Sequence, residues 1–330
     1  MSYLLKSLEN CKLTLNNRLV MPPMATSKSD QNGKVSKDIL DYYDEKSRGG
    51  YISLIIIEHS FITLAGKASE RQLSIEEDST IERLKELSNI IHKNGSKTVM
   101  QINHAGSSTN KEITGLNPVG PSAIINPNSS IVPDELSINE IKNIILEFKN
   151  AARRVKESGF DGVEIHSAHG YLLNQFFSPL TNKRSDEYGG GLLGRIKIHL
   201  DIIKAVRDVV GDDFPILLRL GASDNMEGGI TIEDSKIAAV AFEKAGVDIL
   251  DISGGFCRFI IPGNTSQGYF SPLSESIKEV VSIPVLLTGG ITKVEAAESL
   301  LSSEKADLIG VARAIYKDSK WAQKAIESFK

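Results

Sequence analysis

Cysteine and long apolar runs are scarce in this sequence, and each scarcity excludes a class of protein. The two cysteines, Cys11 and Cys257, lie far apart without CxxC spacing, which argues against a disulfide framework, a zinc site or an iron–sulfur cluster. Apolar runs such as Leu54 to Ile57 are far too short to span a bilayer, and Met1 to Leu15 has no extended hydrophobic core. We therefore expect a soluble protein of the reducing cytoplasm.

A large excess of charge is absent as well. The chain has 38 basic and 42 acidic residues, and the basic ones are scattered along it. There is no electrostatic footprint for nucleic acid or for an anionic membrane, so the expected partner is a small molecule. The sequence leaves open whether the protein is a homo-oligomer.

Signature motifs of several enzyme classes are also missing. The sequence has no P-loop, nucleophile elbow or HExxH motif. Gly189 to Gly194 match GxGxxG but follow a polar loop instead of a strand, so they do not indicate a dinucleotide-binding fold. His104, His166 and His169 lie near predicted strand ends, but nothing in their spacing fixes a metal geometry, and we predict no metal site.

Short β-rich runs alternate with longer helical patterns through most of the chain, which is typical of a parallel sheet built from βαβ units. The β-rich runs are Arg18 to Ala25, Ile52 to Ser60, Lys97 to His104, Gly162 to Ala168, Pro215 to Ala222, Ile249 to Gly254, Pro284 to Gly290 and Leu308 to Arg313. The clearest helical patterns are Ile81 to Lys93, Ile138 to Glu157, Ile232 to Lys244, Val294 to Leu301 and Ala314 to Phe329. Because no linker divides the chain, we predict a single domain over residues 1–330, an α/β fold of the (β/α)8 TIM barrel type.

Three segments decorate this predicted barrel. Asn110 to Leu136 and Leu180 to Gly194 are extended βα loops that leave the carboxyl ends of strands, where such barrels carry their active sites. Leu4 to Leu15, followed by an asparagine pair, predicts an N-terminal β-hairpin that closes the bottom of the barrel.

The segment from Glu164 to Tyr171 concentrates proton-carrying side chains at the end of a predicted strand. Glu164 and His166 share one face of a pleated strand, whereas His169 would point to the opposite face if the strand continued. The two imidazoles therefore converge only if the chain turns before Gly170. Each residue alone would more often be structural, but the cluster as a whole indicates a functional site.

Two polar side chains lie inside other predicted strands. Arg219 interrupts Ile216 to Leu220, where an unpaired guanidinium would be costly, so it needs an acceptor. An ion pair inside the barrel, for instance with Glu164, and contact with a ligand explain Arg219 equally well. Gln101 either binds the edge of a heteroaromatic ring or forms a hydrogen bond to a neighbouring strand.

The last two βα units end in small residues, as in Gly289 and Gly290. Such strand ends let backbone N–H groups approach a phosphate beside the start of a helix. The loops after strands seven and eight are where barrels most often hold phosphate, and Arg313 would add a charge-assisted contact there.

These segments together resemble the old yellow enzyme family of flavin-dependent, NAD(P)H-linked ene reductases, including the barrel domain of 2,4-dienoyl-CoA reductases. The resemblance covers nearly the whole chain. The motifs that carry it are Asn17 to Ala25, Met100 to Gly106, Gly159 to Leu172, Phe177 to Gly190 and Asp307 to Arg313. It implies a TIM barrel with FMN bound across the carboxyl ends of the strands and with NADH or NADPH as the reductant.

The resemblance also implies a set of cofactor-binding residues, carried over position by position. These are Pro23, Met24, Ala25, His59, Gln101, Arg219, Gly289, Gly290, Ala312 and Arg313. The first three would lie along the isoalloxazine ring, and His59 would contribute a backbone contact. Gln101 and Arg219 would bind the pyrimidine edge, and the last four residues would hold the phosphate.

The resemblance further assigns the histidine cluster to catalysis. His166 and His169 would donate hydrogen bonds to the carbonyl oxygen of an activated alkene and so lower the cost of the developing enolate. Reduced FMN would deliver hydride to the β carbon, and Tyr171 would protonate the α carbon as a general acid. The implied function is a ping-pong reduction of the C=C bond of α,β-unsaturated carbonyl compounds.

Several positions depart from the family pattern. Ala25 stands where Thr or Cys is common, Ser107 where Arg often occurs, and Ser27 where some members have Tyr, so the flavin potential and the substrate preference stay open. The sequence has no cluster-binding or second nucleotide domain after the last predicted helix, so we do not expect the electron relay of the dienoyl-CoA reductases. Two alternatives are a flavin-free barrel lyase or isomerase for a phosphate ligand and a catalytically silent flavin-binding barrel.

Overall fold

Eight parallel strands close a barrel in the computed structural model, which describes residues 2–9 and 12–329. The strands are β1 (Leu19–Met21), β2 (Leu54–Phe61), β3 (Lys97–Asn103), β4 (Gly162–Ser167), β5 (Ile216–Gly221), β6 (Ile249–Ser253), β7 (Val285–Thr288) and β8 (Leu308–Gly310). They neighbour one another in chain order, and β1 pairs with both β2 and β8. The predicted TIM barrel is confirmed, and each predicted β-rich run overlaps one barrel strand.

One helix packs outside the barrel after each strand. These helices are Lys37–Ser47, Ile81–Lys93, Ile138–Glu157, Lys197–Val210, Ile232–Ala245, Ser271–Lys278, Val294–Ser302 and Trp321–Glu327. Short α-helices in the connecting loops are Lys111–Thr114, Leu172–Phe177, Leu192–Arg195 and Arg313–Lys317. Within the described residues, no helix has the length and apolarity needed to cross a membrane.

Local sequence signals set the bounds of the longest helix, Ile138–Glu157. Ser137 caps its first turn: the Ser137 hydroxyl accepts a hydrogen bond from the Glu140 N–H at 3.3 Å, and the Glu140 carboxylate accepts one from the Ser137 N–H at 2.7 Å. At the other end Gly159 adopts a φ of 75°, a left-handed conformation that glycine reaches without strain. The predicted helix therefore has the observed bounds.

Two predicted elements extend too far. The run Arg18 to Ala25 keeps only Leu19–Met21 as strand, because the following prolines have no N–H to donate to a sheet ladder. The predicted helix Ala314 to Phe329 is broken into Arg313–Lys317 and Trp321–Glu327. Asp318 interrupts it, since this residue is extended and its carboxylate accepts a hydrogen bond from the Lys320 N–H at 2.9 Å.

The N-terminal segment closes the bottom of the barrel. Leu8 and Leu15 form an antiparallel bridge with hydrogen bonds of 2.9 and 3.0 Å, in agreement with the predicted hairpin. Residues 10 and 11, which include Cys11, lie outside the described residues. Leu8, Leu13 and Leu15 belong to a buried aliphatic cluster with strand residues from the amino end of the barrel: Val20, Leu54, Ile56, Val99, Leu217, Ile249, Leu286 and Leu308.

The barrel interior changes from apolar to polar along the strands. Side chains two positions apart on a strand point to the same face, so the residues that follow this aliphatic layer also point inward. They include Gln101, Glu164, Arg219, Asp251 and Thr288, all of them buried. In β4 the intervening Val163 and Ile165 pack into the larger core outside the barrel, as the strand alternation predicted.

The two extended loops leave the carboxyl ends of β3 and β4, as predicted. The loop from Asn110 to Leu136 contains a small sheet in which Val119–Gly120 pairs with Asp134–Glu135. Near this rim β2 also has an irregularity: Ile57 pairs with Met100, but the next pair is Ser60 with Ile102, so β2 has one extra residue.

Candidate active site

A cavity of about 570 Å³ opens at the carboxyl ends of the barrel strands. Its lining includes every predicted site residue, namely Pro23, Met24, Ala25, His59, Gln101, His166, His169, Tyr171, Arg219, Gly289, Gly290, Ala312 and Arg313. It also includes Pro22, Ala68, Ser108, Ser253, Arg258, Phe259, Tyr269 and Thr288. Among the described residues, three arginines and three histidines line this cavity and no carboxylate does, so it suits an anionic ligand.

The two central imidazoles converge because the chain turns directly after β4. His169 has a φ of 61° and Gly170 a φ of 77°, so two successive residues are left-handed. The His169 N–H donates to the Gly254 carbonyl at 3.1 Å, which ties this turn to the loop after β6. The ring centroids of His166 and His169 lie 5.0 Å apart at an interplanar angle of 89°. The turn expected before Gly170 is therefore present, and it is strained at a non-glycine residue.

Both imidazoles are neutral. Burial is the largest cause that lowers the pKa of His166 and of His169 well below the ordinary value, and the positive charge of Arg219 adds to it. The Ala168 N–H donates to Nδ1 of His166 at 3.2 Å, which leaves the proton on Nε2. Nε2 of His169 lies 2.8 Å from Oγ of Ser253. His166 is thus a hydrogen-bond donor toward a ligand at neutral pH.

Tyr171 completes the wall that carries the histidines. Its ring centroid lies 5.1 Å from that of His166, at an angle of 90°, and 5.5 Å from that of His59. Burial raises the pKa of Tyr171, so its hydroxyl keeps the proton at neutral pH. A protonated phenol beside two neutral imidazoles is a group that can deliver a proton to a bound molecule.

The floor of the cavity is a buried polar layer. Nε2 of Gln101 donates to Oε2 of Glu164 at 2.6 Å, and Nε of Arg219 lies 3.3 Å from Oδ2 of Asp251. The ion-pair partner of Arg219 is therefore Asp251, and the suggested pairing with Glu164 is wrong. Glu164 pairs with Gln101 because the two residues stand opposite each other in the register of β3 and β4, just as Arg219 stands opposite Asp251 in that of β5 and β6.

Some polar atoms of this floor form no hydrogen bond with the described part of the protein. Oε1 of Glu164, Nε of Arg219 and Oδ2 of Asp251 are buried and have no partner in hydrogen-bonding geometry among the described residues. Burial raises the pKa of both Glu164 and Asp251, the neighbouring Asp251 charge raises that of Glu164 further, and the Arg219 charge opposes both shifts. An acceptor from a bound molecule would add the hydrogen bonding that the ion pair with Asp251 does not give the Arg219 guanidinium.

A second group of donors lies at the ends of β7 and β8. Within the described parts of the chain, the backbone N–H groups of Gly289, Gly290, Ala312 and Arg313 donate to no backbone acceptor. Nη2 of Arg313 lies 3.4 Å from the hydroxyl of Tyr269. Free N–H groups beside a guanidinium form the arrangement that binds a phosphate.

A further part of the lining comes from the segment after β1 and from β2. Its residues are Pro23, Met24, Ala25 and His59. His59 lies in the part of β2 where the pairing with β3 is irregular. Nδ1 of His59 lies 2.7 Å from the amide nitrogen of Gln72, which also donates to the His59 carbonyl at 3.1 Å. Burial lowers the pKa of His59 to about 4, so this imidazole is neutral too.

His104 does not join the other histidines. It is absent from the cavity lining, and its Nδ1 accepts a hydrogen bond from the Gly106 N–H at 3.0 Å. Among the residues that the structure describes, no group of three or more metal-ligating side chains lies in a metal-binding arrangement.

Several lining residues were not predicted from the sequence. Ser253 is the last residue of β6 and lies inside the predicted run Ile249 to Gly254, so a hydroxyl near a barrel strand end was a usable signal. Arg258 and Phe259 belong to the loop after β6, whose sequence gives no sign that it folds back toward His169. Tyr269 precedes a helix and contacts Arg313 only through the tertiary fold.

FMN, the cofactor implied by the family resemblance, fits this donor set. The Arg219 guanidinium, whose Nε has no hydrogen bond despite its ion pair with Asp251, and the Gln101 amide suit the polar edge of a flavin. The free N–H groups near Arg313 suit its phosphate. The lack of lining carboxylates agrees with the negative charge of the cofactor.

Known proteins match this chain over nearly its whole length. The model of the NADH:flavin oxidoreductase / NADH oxidase family matches residues 4–330. The chain is 42% identical over 321 residues to the NADH oxidase of Thermoanaerobacter brockii, covering 96% of this chain and 49% of that protein. It is 39% identical over 308 residues to the NADPH dehydrogenase of Clostridium acetobutylicum, covering 93% of this chain and 89% of that protein. The chain thus spans about half of the first relative and most of the second.

Two solved structures have the same fold as this chain. A 2-naphthoyl-CoA reductase complexed with 2-naphthoyl-CoA matches with a TM-score of 0.93 at 27% identity, over 99% of this chain and 52% of that one. Morphinone reductase matches with a TM-score of 0.86 at 23% identity, over 99% of this chain and 90% of that one. The second likeness supports the fold alone.

Proposed function

Because the chain belongs to the NADH:flavin oxidoreductase / NADH oxidase family, of the old yellow enzyme group, we propose that it reduces activated C=C bonds with FMN and NADH or NADPH. The proposed substrates are α,β-unsaturated carbonyl compounds. The flavin-free lyase or isomerase is set aside, since this is a family of flavin oxidoreductases.

The observation that carries the proposal is the neutral pair formed by His166 and His169, with ring centroids 5.0 Å apart on one wall of the cavity. Two such donors can hold the carbonyl oxygen of an enone or enal and stabilise the negative charge that develops on it. A neutral donor suits this role better than an imidazolium, which would need its own counter-ion in a cavity without carboxylates.

Tyr171 supplies the second part of the proposal. Bound FMN would provide a hydride for the β carbon, at the expense of NADH or NADPH. Tyr171 would give its proton to the α carbon, so that hydride and proton together saturate the double bond. The elevated pKa of Tyr171 keeps that proton available over the neutral range.

Other residues of the chain would bind the cofactor or support Tyr171. Gln101 and Arg219 would hold the polar edge of FMN, while Gly289, Gly290 and Arg313 would hold its phosphate. Ala312 would contribute a backbone N–H beside Arg313, and Pro23 to Ala25 would form the wall along the ring. His59 would stay neutral and support the ring of Tyr171, to which it lies close.

Tyr171→Phe tests the proposal most directly, because it removes the hydroxyl and keeps the ring. The rate of alkene reduction should fall by about 10²–10⁴, the usual contribution of a general acid. Anaerobic reduction of the flavin by NADH or NADPH should be nearly unchanged. Stopped-flow spectroscopy measures both half-reactions, and equal losses in the two would reject the proton-donor role.

The silent flavin-binding alternative makes a different prediction. A binder without activity would keep its oxidised flavin spectrum when NADH or NADPH is added without oxygen. Bleaching of that band, followed by recovery on addition of an enone such as 4-phenylbut-3-en-2-one, would support an ene reductase. Bleaching without recovery would point to another electron acceptor.

A further inference from the structure

Arg258 is a lining cation that the proposed function does not use. It is exposed at the cavity, in the loop that follows β6. In the described part of the chain, its side chain has neither an ion pair nor a hydrogen bond, in contrast to Arg219 with Asp251 and Arg313 with Tyr269. Arg258 is therefore free to bind a ligand.

The loop that carries Arg258 is fixed on several sides. Asp224 accepts a hydrogen bond from the Phe256 N–H at 2.8 Å, and Asn128 donates to the Phe256 carbonyl at 2.9 Å. The hydroxyl of Tyr269 donates to the Phe259 carbonyl. Between these anchors Arg258 itself has a φ of 60°, which is unusual for a residue with a side chain. The anchored loop holds a strained residue at the cavity.

Arg258 lies in a different part of the cavity from the two other arginines. Arg219 lies in the floor and Arg313 lies at the ends of β7 and β8, whereas Arg258 lies near the histidine wall. After burial and the charges of Arg219 and His59, the Arg258 charge is a further factor that lowers the pKa of His169. The same charge opposes the effect of burial on the pKa of Tyr171.

Phe259 adds an apolar surface beside this cation. Its ring centroid lies 6.1 Å from that of His169 at an angle of 86°, and 57% of its surface is exposed. A ligand held at His166 and His169 therefore lies close to a hydrophobic ring, in a cavity that the free guanidinium of Arg258 also lines. A molecule with an apolar body and one negative group satisfies both.

We propose that Arg258 binds an ionised carboxylate of the alkene substrate, so that the preferred substrates are unsaturated keto acids. The inference rests on the proposed ene reduction and names its substrate class. The guanidinium forms two parallel hydrogen bonds with a carboxylate, while Phe259 packs on the body of the substrate. The histidines are neutral, so they can donate hydrogen bonds but carry no positive charge to pair with a carboxylate.

A phosphate of the nicotinamide coenzyme would offer Arg258 the same anionic chemistry. The position of Arg258 beside the proton donor and the oxygen-binding pair favours the alkene. The experiment must nevertheless separate the two sources, because both molecules react in this cavity.

The test uses the FMN-loaded enzyme with 4-(3-oxobut-1-enyl)benzoate and its methyl ester. The two compounds share the same enone and differ in charge. Arg258→Gln removes the cation, Arg258→Lys keeps its charge, and Lys142→Gln is a control that removes one exposed charge on the outer helix Ile138–Glu157. The readouts are kcat/KM for each substrate and calorimetric binding of the saturated product, 4-(3-oxobutyl)benzoate, to the oxidised enzyme.

Wild type should prefer the carboxylate to its ester. In Arg258→Gln this preference should fall by about 10- to 100-fold, the usual weight of a charge-assisted hydrogen bond, with a parallel loss in product binding. Arg258→Lys should recover part of it, and Lys142→Gln should match wild type. An equal preference in wild type and Arg258→Gln would overturn the proposal.

Two further outcomes are decisive. If Arg258→Gln slows anaerobic flavin reduction by NADH or NADPH but leaves the carboxylate preference intact, Arg258 serves the coenzyme and the inference is wrong. If the neutral ester is reduced at the same rate by wild type and Arg258→Gln while the carboxylate is not, the inference stands. Failure of the proposed function itself looks different, since then neither the ester nor the carboxylate would be reduced by wild type.

Discussion

The two ends of this barrel are built from the same strands and have opposite interiors. At the amino end, Leu8, Leu13 and Leu15 of the N-terminal segment pack on a layer of aliphatic strand residues without a polar group among them. At the carboxyl end, the inward positions carry Arg219 and Asp251, and the cavity lies above them. A distance of two residues along a strand separates the two environments.

This difference shows that the amino end of the barrel mainly stabilises the fold and the carboxyl end mainly forms the site. An aliphatic layer gains free energy from burial, roughly 25 cal/mol per Å² of apolar surface removed from water. A buried layer of charges gains little, because desolvation offsets the attraction between the charges. The unsatisfied atoms of Glu164, Arg219 and Asp251 therefore indicate a layer organised for a bound molecule, whereas the opposite end is organised for packing.

Removing the cation from the polar end should have the largest effect. Arg219→Met leaves Asp251 buried without its partner, and we expect a loss of about 3–5 kcal/mol in the free energy of unfolding together with loss of FMN binding. Urea unfolding and a fluorescence titration with FMN measure the two effects. Arg207→Met is the matched control, since Arg207 pairs with Asp248 at 2.6 Å near the amino end of β6 and should affect stability alone.

The stability of Arg219→Met should fall as the pH rises. Without the Arg219 charge, the pKa values of Glu164 and Asp251, already raised by burial, rise further. The folded protein then holds protons that the unfolded chain releases above about pH 4, so its stability falls as the pH rises. The deficit of Arg219→Met relative to wild type should be larger at pH 8 than at pH 5, and a smaller deficit at pH 8 would contradict the model of the floor.

A cavity at the amino end should affect stability and leave the chemistry unchanged. Leu15 is fully buried, and Leu15→Ala should cost about 2–5 kcal/mol. FMN affinity and the rates of both half-reactions should equal those of wild type at a temperature where the variant is folded. Leu15→Met, which conserves volume, is the control and should cost less than about 1.5 kcal/mol. A changed flavin affinity in Leu15→Ala would mean that the two ends are coupled.

The smallest expected effect concerns Ala25, which lines the cavity and lacks a polar side chain. Ala25→Thr adds a hydroxyl that can donate to the flavin, and a hydrogen bond of about 0.5–1.5 kcal/mol to the reduced state corresponds to a rise of roughly 10–30 mV in the two-electron midpoint potential. Ala25→Val controls for size, since it has the shape of threonine without the hydroxyl. Spectroelectrochemistry decides, and an equal potential in the two variants would count against the hydrogen bond.

Much of the fold follows from local patterns. Period-two alternation placed Glu164 and His166 on the same face of β4, and the alternation of strands and helices predicted the barrel. Bounds were less accurate where a side chain competes with the backbone, as at Asp318, or where proline ends a strand, as after Met21.

The predicted site residues lie together because barrel topology brings strand ends to one rim. What the pattern did not reveal was pairing across strands: Asp251 meets Arg219 only through the register of β5 and β6. The irregularity in β2 near His59 and the return of Arg258 toward His169 also lacked a local signal, because both depend on contacts between distant segments.

The sequence by itself determined which residues share a strand face, where the chain turns at Gly170, and which family the chain resembles. Those properties depend on neighbours along the chain, through the alternation of strand faces and the conformational freedom of glycine. Only the tertiary structure decided which charges neutralise one another in the floor and which arginine is left free at the histidine wall. Electrostatic pairing depends on distances across the barrel, and those distances exist only once the strands have closed.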